Sequence, residues 1–95
     1  NLVTFNEIDI CLDRQFSWDK YNQVLVELTY LDDKGQKKTK KFSFNPDKTK
    51  AQTFKYRCLT EKPWTVHYTI TYLEVGGHTR LVDGTDNPPA IVIPV

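Results

Sequence analysis

Methionine is absent from the 95 residues, and cysteine occurs only twice. No apolar run approaches 18 residues, so the sequence offers no helix that could span a membrane. Two thiols permit one bridge but not the dense disulfide scaffold of many small secreted domains. There is no start methionine and no N-terminal signal peptide; the chain opens at Asn1. It is therefore expected to be a mature or excised piece of something longer. The zinc-protease HExxH, the GxSxG elbow, the P-loop and the dinucleotide fingerprint are all missing, which argues against an enzyme.

What is present is aromatic and β-branched. Aromatics make up 13% of the chain and hydrophobics 39%, too many for a disordered segment of low net charge. The length suits one domain spanning 1–95, with one core. Each large ring can bury about 150–250 Å², which helps a thin core reach stability.

The dominant hydrophobic period is two. Trp64, Val66, Tyr68, Ile70 and Tyr72 alternate with Thr65, His67, Thr69 and Thr71. Val24, Val26, Leu28 and Tyr30 share one face, and Leu25, Glu27 and Thr29 take the other. Ile8, Ile10 and Leu12 share a face, as do Phe42 and Phe44, and Phe54, Tyr56 and Cys58. Turn chemistry separates these runs: Asp32-Asp33-Lys34-Gly35, Asn45-Pro46-Asp47, Glu61-Lys62-Pro63, Gly76-Gly77, and a loop containing Asp83-Gly84 and Asn87-Pro88-Pro89. Glycine supplies positive φ, and proline cannot donate to a central ladder. The pattern predicts about seven strands, at 3–12, 22–31, 37–44, 52–59, 64–75, 78–82 and 90–95. Residues 13–21 fit either a loop crossing between sheets or one helical turn. The expected fold is an all-β, antiparallel two-sheet sandwich, with a small barrel as the alternative.

The order Val24-to-Tyr30, Asp33-to-Gly35, Phe42-Ser43-Phe44, Gln52-Thr53-Phe54, Trp64-to-Tyr72, Gly76-Gly77 and Ile91-Val92-Ile93 resembles immunoglobulin-like or fibronectin-like β-sandwich modules of large bacterial surface or secreted proteins. The resemblance covers roughly 22–95. It implies an Ig-like architecture and an extracytoplasmic, non-enzymatic structural or interaction module. The Cys…Trp…Cys spacing of true immunoglobulin domains is not followed.

Four groups of residues are candidates for chemistry. Cys58 has core parity and Cys11 the opposite parity, which disfavours a bridge; a bridge, if made, would stabilise by about 3–4 kcal/mol in the chain-entropy picture. His67 and His78 could meet near the Gly76-Gly77 hairpin but lack the further ligands of a zinc site. The stretch Asp83-Gly84-Thr85-Asp86-Asn87 only faintly resembles a calcium loop. No metal or cofactor is expected. Phe16, Trp18 and Tyr21 either plug one end of the sandwich or form a sugar-stacking platform, which would need two exposed, roughly coplanar rings.

Charge is the strongest surface signal. Residues 34–62 hold ten bases and two acids, giving +8, and the remaining three bases and ten acids give −7, so the net charge of +1 conceals a segregation. Lys34, Lys37, Lys38, Lys40, Lys41, Lys55 and Arg57 form a candidate basic face. A Lys-rich edge discourages strand-on-strand aggregation. It also suits a neighbouring module, another protein or an anionic glycan. Nucleic acid is not expected, because the aromatics sit at core positions and no RRM- or OB-type signature is visible.

Overall fold

The computed structural model describes residues 3–59, 66–86 and 90–94, with the side chains of 58, 59, 85, 86 and 90 left aside. Seven strands run in the order β1 (Val3–Leu12), β2 (Tyr21–Leu31), β3 (Lys37–Phe44), β4 (Gln52–Leu59), β5 (Val66–Glu74), β6 (Thr79–Asp86) and β7 (Ala90–Ile93). They form a three-stranded sheet, β4-β1-β7, and a four-stranded sheet, β3-β2-β5-β6. The all-β, two-sheet expectation holds. One pairing departs from a purely antiparallel plan: β1 and β7 are parallel, with Asp9, Ile10, Cys11 and Leu12 opposite Ala90, Ile91, Val92 and Ile93.

The period-two faces are where alternation puts them. Ile8 and Ile10 of β1, Phe54 and Tyr56 of β4, and Ile91 and Ile93 of β7 are buried on one side of the seam. Val24, Val26 and Leu28 of β2, Phe44 of β3, and Val66, Ile70 and Tyr72 of β5 are buried on the other. Tyr30 of β2 meets both Phe54 and Tyr56 of β4, at centroid distances of 4.9 and 5.2 Å, so the two sheets share one core. Burying an aliphatic or aromatic side chain contributes about 1.5–3 kcal/mol. An exposed ion pair contributes about 0.2–1 kcal/mol. The seam, not the charged surface, holds the fold.

Turn chemistry sets the hairpins. Gly35 has φ of 75° and donates its N–H to the Asp32 carbonyl at 3.0 Å, while Asp32 N–H bonds the Gln36 carbonyl at 2.9 Å. That is a three-residue hairpin loop with glycine in the left-handed position. Gly76 and Gly77, with φ of 98° and 92°, close the β5–β6 hairpin in the same way. Residues 13–20 are a loop that crosses from one sheet to the other, with bonds from Phe16 N–H to the Asp13 carbonyl and from Tyr21 N–H to the Trp18 carbonyl.

One expectation about the loops is corrected. Asp83-Gly84 does not break the chain; both residues lie inside β6, opposite Thr69 and Tyr68. The reason is local. The Tyr68 ring lies over Gly84, in the space a Cβ would occupy, and Asp83 accepts a 2.8 Å hydrogen bond from Thr69 Oγ1. The neighbouring tyrosine thus covers the side-chain-less position on this edge strand. Asp83 and Gly84 are therefore strand residues, not part of a metal-binding loop; Asn87, Pro88, Pro89, Trp64 and the Glu61-Lys62-Pro63 connection lie outside the described residues.

Gly84→Ala is expected to displace the Tyr68 ring and lower stability by about 1–3 kcal/mol, the range of an overpacked site. In urea unfolding the midpoint should fall with little change in slope. In a Tyr68→Ala background the same substitution should be nearly neutral; equal losses in both backgrounds would remove the ring as the cause.

Candidate functional site: a basic flank of two edge strands

β3 is an edge of the four-stranded sheet and β4 an edge of the three-stranded one. The chain passes directly from one to the other through a tight turn at Asn45-Pro46-Asp47-Lys48, where Lys48 N–H bonds the Asn45 carbonyl at 2.9 Å and Asp47 N–H bonds Asn45 Oδ1 at 2.8 Å. Gln52 Nε2 then donates to the Ser43 carbonyl at 2.8 Å, and the Phe42 and Phe54 rings meet at 5.9 Å. The two edges therefore lie on the same side of the sandwich. The basic segment of the sequence becomes one lateral flank.

The lysines leave this flank in two directions. Lys37 and Lys41 stand opposite Leu31 and Glu27, on the outer face. Lys38 and Lys40 stand opposite Tyr30 and Leu28 and so share the inward parity of Phe42 and Phe44. Both are nevertheless exposed, because an edge strand has open space beside it and a lysine stem can run along apolar surface to water. Inward-pointing charge at an edge is a known protection against strand addition. Lys55 and Arg57 project outward from β4, opposite Glu7 and Phe5. Lys48 and Lys50, two of the ten bases in residues 34–62, are exposed between the two strands and extend the flank beyond the candidate face.

Three of these bases have acidic neighbours. Lys41 lies 3.9 Å from Glu27, Lys55 3.8 Å from Glu7, and Arg57 3.6 Å from Asp33. All three pairs are long, and the two lysine pairs are largely solvent-exposed while Asp33 is half-buried, so they neutralise charge without binding it tightly. Among the described residues, Lys34, Lys37, Lys38 and Lys40 have no such pair. Asp32, at the base of the hairpin, is held below the ordinary aspartate pKa. The N–H bond its carboxylate accepts from Gln36 is the largest cause; burial opposes it, and the N–H bond from Lys34 and then the charges of Lys38 and Lys34 add to the lowering. Beside the flank, Phe5 is 76% exposed, and it lines an open depression of about 350 Å³ with Asn6, Glu7, Lys55, Tyr56 and Arg57. An exposed aromatic on a strand of otherwise alternating polarity was legible in the sequence and was not singled out.

Phe16, Trp18 and Tyr21 come together, but they turn towards one another. Phe16 meets Trp18 edge-to-face at 4.9 Å and 69°, and stacks on Tyr21 at 5.5 Å. Tyr21 continues to buried Tyr72 at 5.3 Å. Arg80, at an inward position of β6, lies 4.1 Å from the Tyr72 ring centre and bonds Tyr21 Oη at 3.0 Å. All three candidate rings are half-buried against the core. The three rings thus pack on one another and against the core. Burial pushes the Tyr72 phenol up, with Arg80 pulling the other way, and its hydroxyl donates to the Pro94 carbonyl at 3.1 Å. Sequence reasoning missed Arg80; its signal was a cation two residues from Val82 on the inward parity.

The histidines do not meet. His67 stands opposite Thr85 near one end of the β5–β6 ladder and His78 lies in the hairpin at its other end, and the seven residue steps from His67 to Glu74 alone span about 23 Å. Among the described residues no cluster of three or more potential metal ligands occurs.

Cys11 is a half-buried free thiol. It stands opposite Val92, whereas Cys58 stands opposite Thr4, seven residues away along the same strand. That is about 23 Å, far beyond the reach of a disulfide. Comparison with protein-family models, curated proteins and solved structures found no match.

Two measurements check this geometry. Thiol titration in denaturant without reductant should find two free thiols per chain; one or none would contradict the strand placement. The Gln36 amide resonance should titrate with a midpoint below the ordinary aspartate value of about 3.9. A carboxyl whose pKa is depressed by folding stabilises the fold above its unfolded pKa and loses that stabilisation as pH falls through the folded one. The hairpin should therefore loosen only on acidification, and Asp32→Asn should abolish the transition at that amide.

Proposed function

We propose that the chain is a non-enzymatic structural or interaction module of a larger extracytoplasmic bacterial protein, built on an immunoglobulin-like sandwich plan. The observation that carries the interaction role is the basic flank. Two edge strands from different sheets lie side by side there, and Lys34, Lys37, Lys38 and Lys40 make no ion pair among the described residues, although Lys34 and Lys38 lie near Asp32. The sandwich plan is supported by seven strands divided three and four between two sheets. The partner is an anionic surface: the acidic side of a neighbouring module, another protein or an anionic glycan. Recognition at such a flank is electrostatic and acts over a screening length of about 8 Å at physiological ionic strength. It therefore governs encounter and orientation more than it governs tight affinity.

A carbohydrate-binding module is the alternative, with Phe16, Trp18 and Tyr21 as its stacking residues. It is the weaker reading, since these rings spend their faces on one another and on Arg80.

Retention on an immobilised anionic polysaccharide separates the two. The proposal expects binding that weakens with salt and is largely lost in the Lys37→Glu, Lys38→Glu, Lys40→Glu protein. Retention indifferent to both changes would reduce the flank to edge protection. Binding to a neutral glycan that is lost in Trp18→Ala would favour the carbohydrate reading instead.

A further inference from the structure

The parallel pairing of β1 with β7 has a mechanical meaning. β1 carries the first described residue, Val3, and β7 ends at Ile93, which lies opposite Leu12 at the far end of β1. Nine residue steps at about 3.3 Å each place Val3 and Ile93 about 30 Å apart along the strand direction. The chain therefore enters the sheet at one pole and leaves it at the other.

Tension applied through these two ends draws β1 out by its N-terminal end and β7 out by its C-terminal end. Because the strands are parallel, they slide past each other along their axes. The Asp13 N–H to Ile93 carbonyl bond, 3.0 Å, fixes the phase of the ladder: in a parallel pair alternate residues of one strand make both of their bonds to the partner. Ile93 and Ile91 are those residues, and their side chains are also buried in the seam. Sliding thus loads the rungs together and drags Ile91 and Ile93 out of their packing at the same time. β1 is held on its other side by β4 along eight register positions, Val3–Ile10 against Gln52–Leu59, so withdrawing β1 shears both neighbours. At the exit pole, Tyr72 of the other sheet holds the Pro94 carbonyl at 3.1 Å.

We propose that the β1–β7 pair is a shear clamp and that the module bears tensile load between its two ends. This deepens the structural half of the proposed function and is independent of the basic flank; loss of polyanion binding would leave it standing. Forced unfolding reads the barrier to unfolding rather than equilibrium stability. The geometry of pulling, with the protein unchanged, therefore provides the test.

Single-molecule force spectroscopy on the full chain would compare two attachments at one loading rate. The first pulls between the N and C termini. The second pulls between the C terminus and a chemical handle at Arg14, an exposed residue just beyond β1. In the second geometry the load falls on adjacent ends of β1 and β7 and peels the rungs apart one at a time. The clamp requires a rupture force several-fold higher for end-to-end pulling, released in a single step. Equal forces in the two geometries, or a weaker end-to-end event, would overturn it. An unchanged urea midpoint in the handle-bearing protein ensures that both arms report on the same fold.

Discussion

The seam between the two sheets constrains everything else in this structure. Each strand presents its apolar side chains at alternate positions, so a slip of one residue anywhere would turn a whole set from core to water. Ile8 and Ile10 on one sheet face Val24, Val26 and Leu28 on the other, and all five are fully buried. With those positions fixed, the outward parity of Lys55 and Arg57 and the inward parity of Lys38 and Lys40 follow without further choice. The basic flank is a by-product of register before it is anything else.

The faces were legible because they depend only on alternation within single strands. β1, β3 and β4 could be bounded from residue pattern and turn chemistry alone. The β6 boundary could not. Asp83-Gly84 carries a turn signature, and what overrides it is a ring from the neighbouring strand, Tyr68, whose position depends on pairing that a single segment does not encode. The parallel β1–β7 contact was likewise invisible, because it joins the two ends of the chain and leaves no local trace. Charge segregation was plain in the sequence. That it would collect on one flank depended on β3 and β4 being edges of different sheets on the same side, which is a fact of topology.

The aromatic cluster shows the same division. Three rings within six residues suggested either a plug or a platform, and periodicity cannot choose between them. Arg80 arrives from β6, stacks on Tyr72 and bonds Tyr21. A cation over a ring contributes about 0.5–2 kcal/mol depending on its desolvation. Here it also fixes Tyr21 at the start of β2, and Phe16 of the crossing loop stacks on that ring, so the loop is held by a side chain as well as by its own backbone bonds.

Lys38 and Lys40 have one further consequence. A foreign strand adding to β3 would have to cover two ammonium groups that point towards the seam, and unpaired buried charge costs several kcal/mol per ion. Partly folded copies at high local concentration are most at risk of exchanging strands with one another. At this edge that exchange carries an electrostatic barrier supplied by the host strand itself, so fidelity of self-assembly is encoded in the same residues that give the flank its charge.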